Sequence, residues 1–291
     1  MTILSEIIGV IAQISALTFI LTSMLAMGLS LTIKQIVDPL RDARLVIMAL
    51  LANFVLVPGL AYLITVLIPL DDGLATGLII AGAAAGAPFL PKLVQSAKGS
   101  AALSVGLMTL LMVVTVIYLP IVLPILLPGA SVSPWDIARS LIFSMLLPLG
   151  AGLFIKARYE ETAEHLQPQM SQISGMAIVF MLVTILVLQF SSIIATIGTG
   201  GILAALIFLI GALVIGLLLG GKDRGTRSVM GLGAGQRNLA AAMLVAGQNF
   251  SDDPNVLVMV MLIGILGLVL LGAIGGEMGK RAQGASAGSA S

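Results

Sequence analysis

Long apolar runs alternate along the chain with short segments that hold almost all of its charges. A hydrocarbon core roughly 30 Å thick takes about 20 apolar residues of helix to cross. Cut at its charges and turn residues, the chain predicts spans near 7–33, 43–69, 73–97, 99–127, 135–156, 170–191, 200–221, 225–249 and 254–276. The first run is too long for the core of a signal peptide and has its charges on the far side, so it reads as a true span. The Gly/Ala/Ser tail, 280–291, reads as disordered.

Two of these spans are interrupted. The third reads GLIIAGAAAGAPFLPKLVQSAKGS, with Pro88 and Pro91 inside it and Gly86 just before them. A proline removes a backbone donor and clashes with the preceding turn. In a bilayer the freed carbonyls are tolerated only where protein or a wet cavity satisfies them. The eighth reads VMGLGAGQRNLAAAMLVAGQNF, with three spaced glycines and then Gln236, Arg237 and Asn238 in mid-span. The two can be laid together, Gly86 on Gly235, and each is the penultimate span of its half. The chain then divides into a first repeat of four spans (1–127) and a second of five (128–279). The third and eighth spans enter from opposite sides, which makes the repeats inverted. Paired broken helices in inverted repeats point to a transporter's midplane site.

Charge sets the orientation. Lys34, Arg41 and Arg44 follow the first span, Lys98 the third, Lys156 and Arg158 the fifth, Lys222, Arg224 and Arg227 the seventh, and Lys280 and Arg281 the ninth. The opposite loops carry Glu6, Asp71, Asp72, Asp252 and Asp253. By the positive-inside rule the N-terminus lies outside and the C-terminus inside, as expected of a multi-pass protein of the cell (inner) membrane. Composition agrees: 59% of residues are hydrophobic and 9% charged, against about 45–50% and about 25% in soluble domains. Net charge is +1 and there are no cysteines. Thiolate chemistry is excluded, no basic stripe suggests nucleic acid, and the lone His165 has no partners for a zinc site. No cofactor is expected. Nor is an enzyme, since the spans hold no paired acids or nucleophile–base pair.

Arg237 is about 12 residues from Gly225 and about 15 from Asp252, or roughly 18 and 22 Å along a helix. It cannot easily snorkel. A charge so placed costs about 2.5–3.5 kcal/mol or more and marks a functional site by default. Two readings stand: it binds substrate, or it is tied to backbone carbonyls and holds the break together. Lys92, near the inner end of its span, either meets substrate or snorkels. Asn53 either bonds another helix or walls a cavity. Gln189, Ser104 and Thr109 are weaker candidates, because hydroxyls in membrane helices usually bond their own backbone. All thirteen Asp and Glu residues fall in loops or at span ends. A positive midplane site without an internal counter-ion wants an anion, and arginine offers a carboxylate a bidentate fork.

At MLAMGLSLT, LANFVLVPG, AKGSAALSV and AGQRNLAAAMLVA the chain resembles the bile acid:sodium symporter family, over nearly its whole length. The resemblance implies a core domain and a panel domain, with the broken helices crossing in the core; some members have nine helices. It also implies two sodium sites near the crossing, built from a glutamate, an Asn/Gln pair and hydroxyls. Here this chain departs. The glutamate position falls near Gly231, the Ser-Asn pair on Leu90 and Pro91, and one of two hydroxyl positions on Met108. Only Ser104 and Gln236 remain as residual sodium ligands, with Asn53 a partial match, whereas hard cations need several oxygens.

These residues predict an all-α membrane protein that carries a small organic anion, a carboxylate, by alternating access, with fixed cations standing in for sodium. Lys92 and Arg237 would neutralise the substrate, and Asn53, Gln236 and Asn238 would orient it beside Pro88. Sodium-coupled symport, proton coupling through a lysine, and a ligand sensor that does not translocate remain the alternatives. Oligomeric state is not read from the sequence.

Overall fold

The computed structural model describes residues 3–127, 133–188, 196 and 198–288; Gln189 lies outside them. The described residues form helices and no strands: α1 (Ile3–Ser30), α2 (Ile33–Val37), α3 (Ala43–Leu67), α4 (Asp72–Ala83), α5 (Leu90–Ser96), α6 (Ala101–Leu126), α7 (Pro134–Arg158), α8 (Glu160–Leu188), α9 (Gly201–Leu219), α10 (Arg224–Gly235), α11 (Leu239–Asn249) and α12 (Pro254–Gly288). Five of them, α3, α6, α7, α9 and α12, are long and apolar enough to cross a membrane, and Ile14–Ser30 and Asp72–Ala83 are shorter apolar helices. Two bounds differ from the sequence expectation. Helix α8 starts at Glu160, because its polar first turns continue the helix that the apolar run alone would place later. Helix α12 runs on to Gly288, into the segment expected to be irregular.

Helix starts follow local chemistry. Asp71, Ser100, Ser133 and Asp223 each accept a hydrogen bond from a backbone N–H in the first turn of α4, α6, α7 and α10. This satisfies donors that a helix start leaves free. The backbone N–H of Thr226, bonded to Asp223 at 2.7 Å, holds that carboxyl below its ordinary pKa.

Proline shapes α3. Pro58 has no N–H for the carbonyl of Phe54, and the helix widens into a π turn over Ala52–Leu56. The freed Phe54 carbonyl accepts a hydrogen bond from the Tyr118 hydroxyl of α6 at 2.7 Å, and the two rings meet edge-on at 4.8 Å. In α7 a π turn over Ile142–Leu146 precedes Pro148 in the same way.

Helices α1, α7 and α8 pack together, and α3, α4, α9, α10 and α12 form a second group. Close approach needs small residues in lipid: a Cβ on Gly152 of α7 would stand 2.6 Å from the Leu25 carbonyl of α1. Helices α4 and α10 both stop midway. Their irregular continuations, 84–89 and 236–238, meet: the Asn238 N–H donates to the Ala84 carbonyl at 2.9 Å. Thr115 of α6 clamps the first break, its hydroxyl accepting from the Ala85 N–H and donating to the Ala85 carbonyl, both at 3.0 Å. Gly86 turns at φ +81°, pressed on the backbone of Met112.

A side chain at Gly86 meets both a left-handed backbone and a neighbouring main chain. Gly86→Ala is therefore expected to destabilise the protein by about 1–3 kcal/mol or more. Gly150→Ala, in open space on α7, is expected to be neutral or stabilising by up to about 1 kcal/mol. Thermal unfolding of the two purified variants checks this.

Candidate functional site

The crossing is organised by Arg237, which follows α10 by two residues and is 2% exposed. Its guanidinium donates four hydrogen bonds: Nε to the Ala81 carbonyl at 3.0 Å, Nη1 to Asn53 Oδ1 and to the Ala234 carbonyl at 3.0 Å each, and Nη2 to the Gly82 carbonyl at 2.8 Å. Ala81 and Gly82 end α4, and Ala234 ends α10. These are carbonyls that a helix C-terminus leaves free, and they carry the negative end of its dipole. The charge expected to lack a counter-ion is thus set on two negative helix ends. Asn53 completes the cage from the π turn of α3 and secures itself through Nδ2 to the Ala49 carbonyl at 3.0 Å. Asn238 is fully buried: its Nδ2 donates to the Gly86 carbonyl at 3.0 Å, and its Oδ1 caps α11 at the Ala241 N–H.

Beside this crossing lies a cavity of about 540 Å³ between α1 and α8 on one side and α5, α6 and the breaks on the other. Phe19, Met27, Val105, Met108, Ile178 and Leu268 give it apolar walls; Ser23, Ser30, Gln167, Ser171 and Ser174 add polar ones. Pro88, Lys92, Gln236 and Arg237 also line it, whereas Asn53, Asn238 and Ser104 do not. The Ser104 hydroxyl donates to the Ala101 carbonyl at 2.7 Å. Lys92 is exposed on the cavity, with Nζ 5.8 Å from the Phe89 ring centre. The ion pairs among the described residues do not include it. Gln236 is 5% exposed, and its Oε1 is buried without a hydrogen-bond partner.

The residues do not fit the sodium sites that the family resemblance implies. Gly231 packs on Leu213 and Leu217, Leu90 is buried in the apolar core, and Met108 contributes a thioether to the cavity wall. Of the oxygens that converge there, those of Ala81, Gly82, Ala234 and Asn53 are engaged by Arg237, which leaves Gln236 Oε1 by itself. No group of three or more His, Cys, Asp or Glu side chains suited to a metal ion is present among the described residues. Sequence reasoning missed Thr115, Tyr118 and the polar residues of α8. Of these only Tyr118 has a signal, since Pro58 announces a carbonyl in need of a donor.

Apolar helices of this length, two of them broken where they meet beside a cavity, belong to a multi-pass membrane transport protein. The chain matches the Sodium Bile acid symporter family over residues 17–196, more than half its length, and belongs to that family. Comparison with curated proteins gives no match.

A buried acceptor left without its donor costs about 1–3 kcal/mol. Arg237→Met is expected to lose at least that much, because the Gly82 and Ala234 carbonyls and the Asn53 amide oxygen lose their donor, while the Ala81 carbonyl keeps only the 3.3 Å bond from the Ala84 N–H. Arg237→Lys keeps the charge but not the planar fork and should fall between the two. A double-mutant cycle with Asn53→Ala, read by thermal unfolding, is expected to give a coupling of about 0.5–3 kcal/mol; additive losses would count against the cage.

Proposed function

We propose that the protein is a secondary transporter of a small organic anion, working by alternating access without sodium coupling of the family kind. The carrying observation is the contrast between the two cations that line the cavity. Arg237 is spent on four oxygens of the protein itself, in the way a bound cation would be, whereas Lys92 faces the cavity without an ion-pair partner. Lys92 therefore attracts the substrate's carboxylate. Gln236 and Pro88 shape its floor, and Arg237, Asn53 and Asn238 keep the crossing rigid beneath it. This divides labour differently from a site in which all five polar residues touch substrate.

In this reading the chain crosses the membrane nine times as two inverted repeats. Helices α1, α7 and α8 act as the panel, and the group around the crossing acts as the core that moves against it. The basic loops lie inside. Lys92 precedes Lys98 on that side, and Ser30 lies close to the basic segment at 34–44, so the cavity opens inward.

Ligands that bind the native state raise its melting temperature by mass action. A panel of carboxylates, each tested with sodium and with choline, is expected to contain members that stabilise the purified protein equally in both salts. Lys92→Ala should weaken that binding by about tenfold or more, the worth of about 1.4 kcal/mol, without lowering the melting temperature of the free protein. Stabilisation that requires sodium and survives Lys92→Ala would return the chain to ordinary sodium symport.

A further inference from the structure

We propose that the transported anion crosses alone, so that the carrier is an electrogenic uniporter and the membrane potential drives export from the side that the basic loops face. This rests on the anion-carrier reading above and adds its energy source and direction.

The argument begins with what a transport cycle carries. A side chain that crosses the field with the loaded protein returns with the empty one, so it adds nothing to the net charge moved. A mobile cation that enters and leaves with the substrate does add its charge. At the crossing the oxygens of Ala81, Gly82, Ala234 and Asn53 are all bonded to the guanidinium of Arg237. That cation is covalently part of the chain and cannot be released on either side. Of the positions where the family resemblance implies further ligands, Gly231, Leu90, Pro91 and Met108 offer no side-chain oxygen; Ser104 does not line the cavity, and the lone unpartnered Gln236 Oε1 falls short of the several oxygens a hard cation needs.

A proton is the other mobile cation. Among the described residues the cavity lining contains no Asp, Glu, His or Tyr, and its ionisable groups are Lys92 and Arg237. The acids nearest the crossing in sequence, Asp71, Asp72, Asp223, Asp252 and Asp253, sit at or beside helix starts, away from the lining. Lys92 is the proton carrier the lining offers; held protonated through the cycle it is a fixed charge, and a carboxylate bound there travels with no companion charge that leaves with it.

The sign then follows. Cells hold their interior negative, and the positive-inside rule places the basic loops there. A lone anion runs down that potential outward, and it would load from the cavity that opens on the basic side. With two sodium ions beside a monoanion the transported charge is positive, and the same potential would drive uptake instead. Exchanging mobile cations for Arg237 reverses the direction of spontaneous flux.

The test is equilibrium accumulation in proteoliposomes, which does not depend on how the protein inserts. Labelled lactate, 2-oxoisovalerate and succinate serve as probes, with potassium gradients and valinomycin setting the potential and choline replacing sodium. The expected result is accumulation of each transported monoanion on the positive side, approaching tenfold for every ~59 mV. Succinate, if carried as a dianion, should approach a hundredfold at the same potential. Arg237→Lys, which keeps the fixed charge, should leave the sign unchanged. Accumulation on the negative side when sodium is restored, accumulation driven by a pH gradient with the potential clamped at zero, or flux indifferent to potential would each overturn the proposal. Flux of no probe above protein-free vesicles would remove the anion-carrier reading itself, and this proposal with it.

Discussion

The structure depends on one guanidinium placed across the ends of two helices. Helices α4 and α10 both stop where their ends meet, and each stop strands buried carbonyls. An unpaired backbone group in hydrocarbon costs several kcal/mol, so two broken helices meeting there cannot persist unless something donates to them. Arg237 has five N–H groups in a rigid plane, and four of them reach Ala81, Gly82, Ala234 and Asn53. Its own burial is tolerable for the reciprocal reason, since the carbonyls bring the negative ends of two helix dipoles to its charge. Neither half is stable without the other.

The neighbouring residues make that arrangement singular. Asn53 reaches the guanidinium from a π turn, and the turn is held by Tyr118, whose hydroxyl takes the carbonyl that Pro58 cannot serve. Thr115 fixes Ala85, Asn238 fixes Gly86, and Gly86 lies against α6 in a conformation that side chains resist. Each is a local answer to a backbone group left over by a break or a proline. Together they tie α3, α4, α6, α10 and α11 into one unit around the crossing.

The cavity lies at the border of that unit. One wall comes from α1 and α8, which pack on each other, with α1 set on α7 through the close contacts of Gly28 and Gly152; the other comes from the fixed crossing and α5. A site shared between two such groups changes its exposure when one slides on the other, the arrangement alternating access needs. Lys92 and Arg237 carry the same charge with opposite consequences there. With four of its five N–H groups bonded to the fold, Arg237 becomes structure; Lys92 is open to the cavity.

Much of this was legible in the letters of the chain. Apolar run length marks where helices form, because burial in lipid scales with apolar surface and leaves few other solutions. Pro88, Pro91 and the glycines ahead of Gln236 marked both breaks, since a missing donor or a missing Cβ has a local effect wherever the chain goes. Arg237 was conspicuous because no acid accompanies it in the spans. Its partners were not legible: three are main-chain carbonyls, which every residue possesses, and the fourth, Asn53, lies 184 residues away. The sequence by itself therefore determined that the chain is helical, lives in a membrane, is broken twice and carries buried positive charge. Only the tertiary structure decided which of its two cations is satisfied and which is free, because that depends on where backbone dipoles from distant helices converge in space.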